Sequence, residues 1–219
     1  MKSRIALIHA LAHSVAPINE EMERTWPECE RMNLLDDSLS ADLARSKNGL
    51  DLAMHKRFFA LADYAVSTGA DGLLFTCSAF GPCIEAVARR CSVPVLKPNE
   101  AMINEAVRSG RRIGLIATFA PTLQSMPAEF PSGVEVLPVF AEGALDALNA
   151  ANFEKHDELI MQAAQSAVAQ GADVIALAQF SMARAEPLLR GPITLPVITT
   201  VGSAVRAMRL ALGRLQDPR

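Results

Sequence analysis

AVSTGADGLLFTCS (Ala65 to Ser78) and AVAQGADVIALAQF (Ala167 to Phe180) are one pattern written twice, 102 residues apart. Each closes an apolar helical stretch, turns at a glycine and enters a short aliphatic run. The triplet GAD recurs as Gly69-Ala70-Asp71 and Gly171-Ala172-Asp173. Without a gap, the same offset carries Val93-Pro94-Val95-Leu96 onto Leu195-Pro196-Val197-Ile198. Upstream, RIALIHALAHS (Arg4 to Ser14) matches RIGLIATFAPT (Arg112 to Thr122), with four of the first five residues identical. Three blocks repeated in order indicate two homologous halves. The expected division is 1–105 for half one and 106–202 for half two, with a C-terminal helix, 203–219, packing back on half one.

Each half alternates strand and helix. Ile5 to His9, Met32 to Leu35, Gly72 to Thr76 and Val93 to Lys97 are short apolar runs, most of them bounded by Gly or Pro, as buried parallel strands are. Half two repeats them as Ile113 to Ala117, Val134 to Val139, Val174 to Ala178 and Pro196 to Thr199. Leu50, Met54, Phe58, Leu61 and Ala65 step at helical spacing and stop at Gly69. The corresponding helix of half two runs from Asn152 to Gln170. The fold class is therefore α/β, two pseudo-symmetric doubly wound parallel-sheet domains.

The composition narrows the function. The chain has 219 residues, half of them apolar, which supports a sizeable core. A net charge of −3 supplies no basic field for nucleic acid. No apolar run reaches the eighteen residues of a membrane span. Arg4 to His9 matches the strand at Arg112 to Ala117 and so reads as a strand, not a leader, which makes the expected location cytoplasmic. Cys29, Cys77, Cys83 and Cys91 form no CxxC pair, and with the four histidines they make no zinc-type set. No GxGxxG or Walker loop follows any strand.

Parallel sheets bind ligands at the carboxyl ends of their strands, and two such ends can face each other across a cleft. The residues standing there are His9, then Thr76-Cys77-Ser78-Ala79, Thr118-Phe119 and Gln179-Phe180. FTCSAFGP (Phe75 to Pro82) after GAD, its counterpart in the second half, and IGLIATFAPTLQS (Ile113 to Ser125) resemble the aspartate/glutamate/hydantoin racemase superfamily. The resemblance covers essentially the whole chain, and its most specific element is the cysteine at the strand end. It implies an enzyme without cofactor or metal, working in the cleft between the halves. In the racemases of that superfamily, one cysteine from each half handles a proton on opposite faces of a carbon beside a carboxylate. It further implies a homodimer and a small carboxylate or amino-acid-like substrate. By the resemblance, Cys77 is the catalytic acid/base or nucleophile. Thr76, Ser78, Ala79, Thr118 and Phe119 would cradle a carboxylate, Gln179 and Phe180 would shape the opposite wall, and His9 would assist the thiol or touch substrate.

One position departs from the pattern. The residue 102 after Cys77 is Gln179, and an amide is neither acid nor base near neutral pH. Three readings follow. Cys77 acts alone on one face, as in a decarboxylase or other lyase. It attacks an unsaturated acid, as in a maleate-isomerase-like reaction. Or His9 or Glu100 supplies a second base. A non-catalytic carboxylate-binding protein is a fourth reading, from a different class. Of the remaining candidates, Cys83 and Cys91 read as structural thiols and Cys29 as a surface or lid residue. His55 and His156, on helices among charged neighbours, read as solvated.

Overall fold

Two four-stranded parallel sheets carry the two halves, and a computed structural model describes residues 2–216. In the first unit the elements are β1 (Arg4–His9), α1 (Val15–Thr25), β2 (Glu30–Leu35), α2 (Ser38–Arg45), α3 (Leu52–Ser67), β3 (Gly72–Phe75), α4 (Gly81–Ala88) and β4 (Val95–Leu96). The sheet order is β2-β1-β3-β4. The second unit follows with α5 (Pro98–Ser109), β5 (Arg112–Ala117), α6 (Ala120–Ser125), β6 (Glu135–Phe140), α7 (Ala144–Asn149), α8 (Phe153–Ala169), β7 (Val174–Leu177), α9 (Glu186–Leu189) and β8 (Val197–Thr199). Its order, β6-β5-β7-β8, repeats the first. Helix α10 (Thr200–Gln216) closes the chain. By backbone contacts the first unit takes the chain up to Pro98 and again from Ala204, and the second takes Asn99–Ser203. Of the C-terminal helix expected over 203–219, residues 217–219 lie outside the described residues.

The repeated GAD has a physical reason in both units. Helix α3 ends at Gly69 with φ 84° and α8 at Gly171 with φ 87°, a left-handed conformation that a Cβ opposes. The alanines that follow are buried. The aspartates then tie each strand entry to the first strand of the same unit. Asp71 accepts from the Arg4 main-chain N–H at 2.8 Å, and Asp173 from that of Arg112 at 3.0 Å. The Arg4 and Arg112 side chains each reach a glutamate opening the neighbouring strand, Glu30 and Glu135, at 2.9 Å. One short motif thus sets the register of two sheets.

Strands β3 and β7 are buried along their whole length, as parallel strands covered by helices on both faces must be. In the first unit Phe58 of α3 stacks on Phe75 (ring centroids 5.4 Å apart) and packs against Phe80 (5.0 Å). On the other face of that sheet, α10 lies so close that a Cβ at Gly72 would stand 2.7 Å from the Met208 sulfur. Unit 2 has two apolar layers. Ile160, Leu177 and Met182 belong to one, and Met102, Ile113 and Leu115 to the other.

The strand ends differ in detail from the expectation. β3 stops at Phe75, although the Thr76 N–H still donates to the Ile8 carbonyl of β1 at 3.1 Å, and β4 shrinks to two residues. Helix α2 is absent from the periodicity reading because SLSADLAR offers one buried apolar anchor, Leu39. Among the described residues no helix is long and apolar enough to cross a membrane.

Candidate active site

Cys77 stands two residues past β3, in extended backbone (φ −127°, ψ 121°), and caps a short 3-10 turn, Ser78–Phe80. Ile8, Ala10, Leu39, Phe58, Phe75 and Phe80 line an apolar recess around it, with His9. Burial in that recess pushes the thiol pKa up, opposed by the neighbouring Ala79 N–H and Ser40 hydroxyl. The resting group is therefore a neutral thiol near neutral pH, a proton donor before it is a base. The Ser40 hydroxyl donates its proton to the Ala10 carbonyl at 2.9 Å while the thiol is neutral. It belongs to α2, so the pattern that hid the helix also hid this residue.

Helix α2 is held from α3. Arg57 binds Asp36 at 2.6 Å and Asp42 at 2.7 Å, and also reaches the Ser38 hydroxyl. Burial alone would raise the Asp36 carboxyl, but the Ser38 hydroxyl and Arg57 outweigh it and hold it below its usual value. Bonds from Arg57 and Arg45 lower Asp42 in the same way.

His9, at the end of β1, is fully buried. Its protonation follows from a chain of fixed polarities. The Val15 carbonyl can only accept, so the Asn19 atom facing it at 2.8 Å is Nδ2. That nitrogen also donates to Asn33 Oδ1 at 2.8 Å. The same oxygen faces His9 Nε2 at 2.9 Å, which must therefore carry the proton. His9 Nδ1 is then an acceptor and takes the Thr76 hydroxyl proton across 2.9 Å. Burial lowers the His9 pKa, against an opposing bond from Asn33, which keeps the ring neutral. His9 thus orients Thr76, and both of its nitrogens are engaged inside the unit. With its hydroxyl proton committed, Thr76 has none to offer a carboxylate. Ser78, half-buried, and Ala79, exposed, remain at the open end of the turn.

In unit 2 the counterpart of Cys77 has the same backbone. Gln179 is extended (φ −134°, ψ 146°) and caps the 3-10 turn Phe180–Ala185. Its side chain folds back. Oε1 accepts from the Thr118 main-chain N–H at 2.6 Å and from the Thr118 hydroxyl at 3.1 Å. The two Thr118 donors expected to cradle a carboxylate are thus engaged with Gln179. Phe180 is buried in the core and Phe119 is exposed at the strand end.

The other titratable groups sort as follows. Lys97 pairs with Glu85 at 2.7 Å, and Glu100 is exposed in the first turn of α5. Cys83 is buried, with burial pushing its pKa up to about 11, and Cys91 is half-buried. Two expectations are corrected. Cys29 is buried, not a surface or lid residue. The turn after Trp26 tucks it beneath the start of β2, where its thiol donates to the Ser3 carbonyl at 3.3 Å, and burial lifts its pKa to about 11. His156 is fully buried, not solvated. Its charged neighbours close over it, with Asp157 Oδ1 2.7 Å from Nδ1 and Arg184 3.0 Å from the same carboxylate oxygen. Arg184 comes from the turn after Gln179, a partner that adjacency in sequence cannot reveal.

A duplicated α/β chain with a thiol at one strand end and an amide at its counterpart defines a narrow class. Residues 12–208 match the model of the Asp/Glu/Hydantoin racemase family, and the chain belongs to that family. No curated protein matches the sequence. Among solved structures, the chain is similar to allantoin racemase from Klebsiella pneumoniae, at 20% identity and a TM-score of 0.71, over 97% of this chain and 89% of that one. It is similar to a glutamate racemase from Bacillus anthracis at 13% identity and TM-score 0.74, over 97% and 82%. A mutant of arylmalonate decarboxylase matches at 18% identity and TM-score 0.67, over 96% and 93%. At these identities the likeness is one of fold.

Proposed function

We propose that the protein is a cofactor-independent isomerase of the racemase type, acting at a carbon α to a carboxylate, with Cys77 as the acid/base. The observation that carries this reading is the thiol at the β3 end, set in an apolar recess with the Ala79 N–H and the Ser40 hydroxyl beside it. Those two donors stabilise the thiolate when Cys77 takes a proton from carbon, while the recess keeps the thiol protonated when it gives one back. Ser78 and Ala79 at the head of the turn contact the substrate carboxylate. His9 holds Thr76 behind that turn, and within unit 2 Thr118 holds Gln179.

A second reading, a decarboxylase or other lyase, is favoured by Gln179. With no acid or base at the second position and a thiol protonated at rest, proton delivery from Cys77 to one face of a carbanion completes a decarboxylation. Proton NMR in deuterated water separates the readings. Wild type and Cys77→Ala are incubated with amino acids, hydantoins, maleate and 2-substituted malonates. Label entering both enantiomers in wild type only supports the isomerase, and carbon dioxide loss with label in one enantiomer supports the lyase. Turnover that persists in Cys77→Ala refutes both. Carboxylate binding without turnover of any compound points to a binding protein.

A further inference from the structure

We infer that Gln179 is a ligand contact of fixed polarity, a hydrogen-bond donor that selects an oxygen acceptor such as a carboxylate or carbonyl. The ligand class rests on the carbon-acid reading above, whereas the polarity rests on geometry alone. An amide side chain can ordinarily present either end, and here it cannot. The Thr118 main-chain N–H is only a donor, so the atom 2.6 Å away is the amide oxygen. The Thr118 hydroxyl, at 3.1 Å, donates to the same atom. Thr118 is itself buried at the end of β5, so this anchor is stiff. The Gln179 backbone is held as well, because its carbonyl accepts from the Met182 N–H at 3.1 Å.

With Oε1 held, Nε2 occupies the other arm of the amide plane. Gln179 is half-buried, and the side-chain bonds it makes among the described residues are the two at Oε1. Two N–H donors are thus presented at the carboxyl end of β7, the ligand-binding edge of a parallel sheet. In effect the anion-binding donors of Thr118 are filled by a neutral acceptor from the chain itself, and the donor character reappears at Nε2. An ammonium group brought to that spot meets donors and is rejected, whereas a carboxylate oxygen is accepted.

The test uses full-length protein labelled with nitrogen-15, with malonate as the probe. The Gln179 side-chain amide pair is assigned by its loss in Gln179→Leu, whose overall spectrum also reports folding. We expect that pair to shift on malonate addition and malonate affinity to fall about tenfold or more in Gln179→Leu. Gln179→Glu keeps an oxygen for Thr118 but replaces the outward donors with a charged acceptor, and should bind malonate more weakly still. Thr118→Val should release the amide and broaden its signals. Malonate that shifts other resonances but leaves the Gln179 pair unmoved overturns the contact. Equal affinity in wild type and Gln179→Glu overturns the polarity, and no binding of malonate anywhere overturns the ligand class. None of these outcomes depends on Cys77, so failure of the carbon-acid reading, seen as turnover in Cys77→Ala, is separately legible.

Discussion

Removing the Ser40 hydroxyl tests how the fold tunes Cys77. In Ser40→Ala the thiolate loses a hydroxyl that could turn to it, while the apolar recess and the Ala79 N–H stay. A hydrogen bond to a charged partner contributes about 1.5–3 kcal/mol. The low end applies, because sulfur accepts weakly and the Ser40 proton must leave the Ala10 carbonyl, its 2.9 Å partner, to reach the thiolate. One pH unit corresponds to about 1.4 kcal/mol, so the Cys77 titration should rise by about one unit. The thiolate fraction at neutral pH then falls about tenfold. Each remaining thiolate is the stronger nucleophile, with a Brønsted slope of about 0.4–0.5, so the observed alkylation rate falls only about three- to fourfold. The assay is the rate of iodoacetamide labelling at Cys77 against pH, read by peptide mass spectrometry so that Cys91 does not contribute. Ser40→Thr, which keeps a hydroxyl, should restore the wild-type profile. A midpoint that stays put or falls in Ser40→Ala refutes the role of the Ser40 hydroxyl in lowering the Cys77 pKa.

Arg57→Ala frees α2 and should shift the Cys77 profile in the same direction. It should also destabilise the protein above pH 5 more than near pH 3. Asp36 and Asp42 titrate below their unfolded values, so the stability they contribute is complete above the unfolded pKa of about 3.9 and is lost as pH falls through the folded one; melting temperatures across that range check it. Phe58→Ala empties the centre of the aromatic cluster and should cost about 3–5 kcal/mol in urea unfolding. A cost below 1 kcal/mol would mean the recess collapses around the gap. Gly114→Ala should destabilise by about 1–3 kcal/mol, since its Cβ would lie 2.7 Å from that of Ala167 and 3.2 Å from that of Ala172, neither of which can move aside. Gly72→Ala should cost less, because the atom it meets is the flexible end of Met208; equal losses in the two variants would contradict this account.

The duplication, the parallel order of strands and the position of Cys77 were legible in the sequence because each is a local pattern. A buried parallel strand must be apolar along its length, a helix must stop at a left-handed glycine, and both demands are met twice at nearly constant spacing. The same locality exposed Gln179 as the odd partner of Cys77. Which atoms bond which was not legible. The polarity of Gln179 depends on Thr118, 61 residues earlier in the chain, and that of His9 on an asparagine pair anchored by the Val15 carbonyl. The hydroxyl that neighbours the sulfur comes from a polar helix with one apolar anchor, and His156 is covered by an Asp157 that Arg184 holds from another segment. Hydrogen bonds have direction and reach only about 3 Å, so their partners are chosen by folding and leave no period in the sequence. Sequence alone determined the two halves and the thiol at the strand end; tertiary structure decided which of the surrounding donors are still free to meet a ligand.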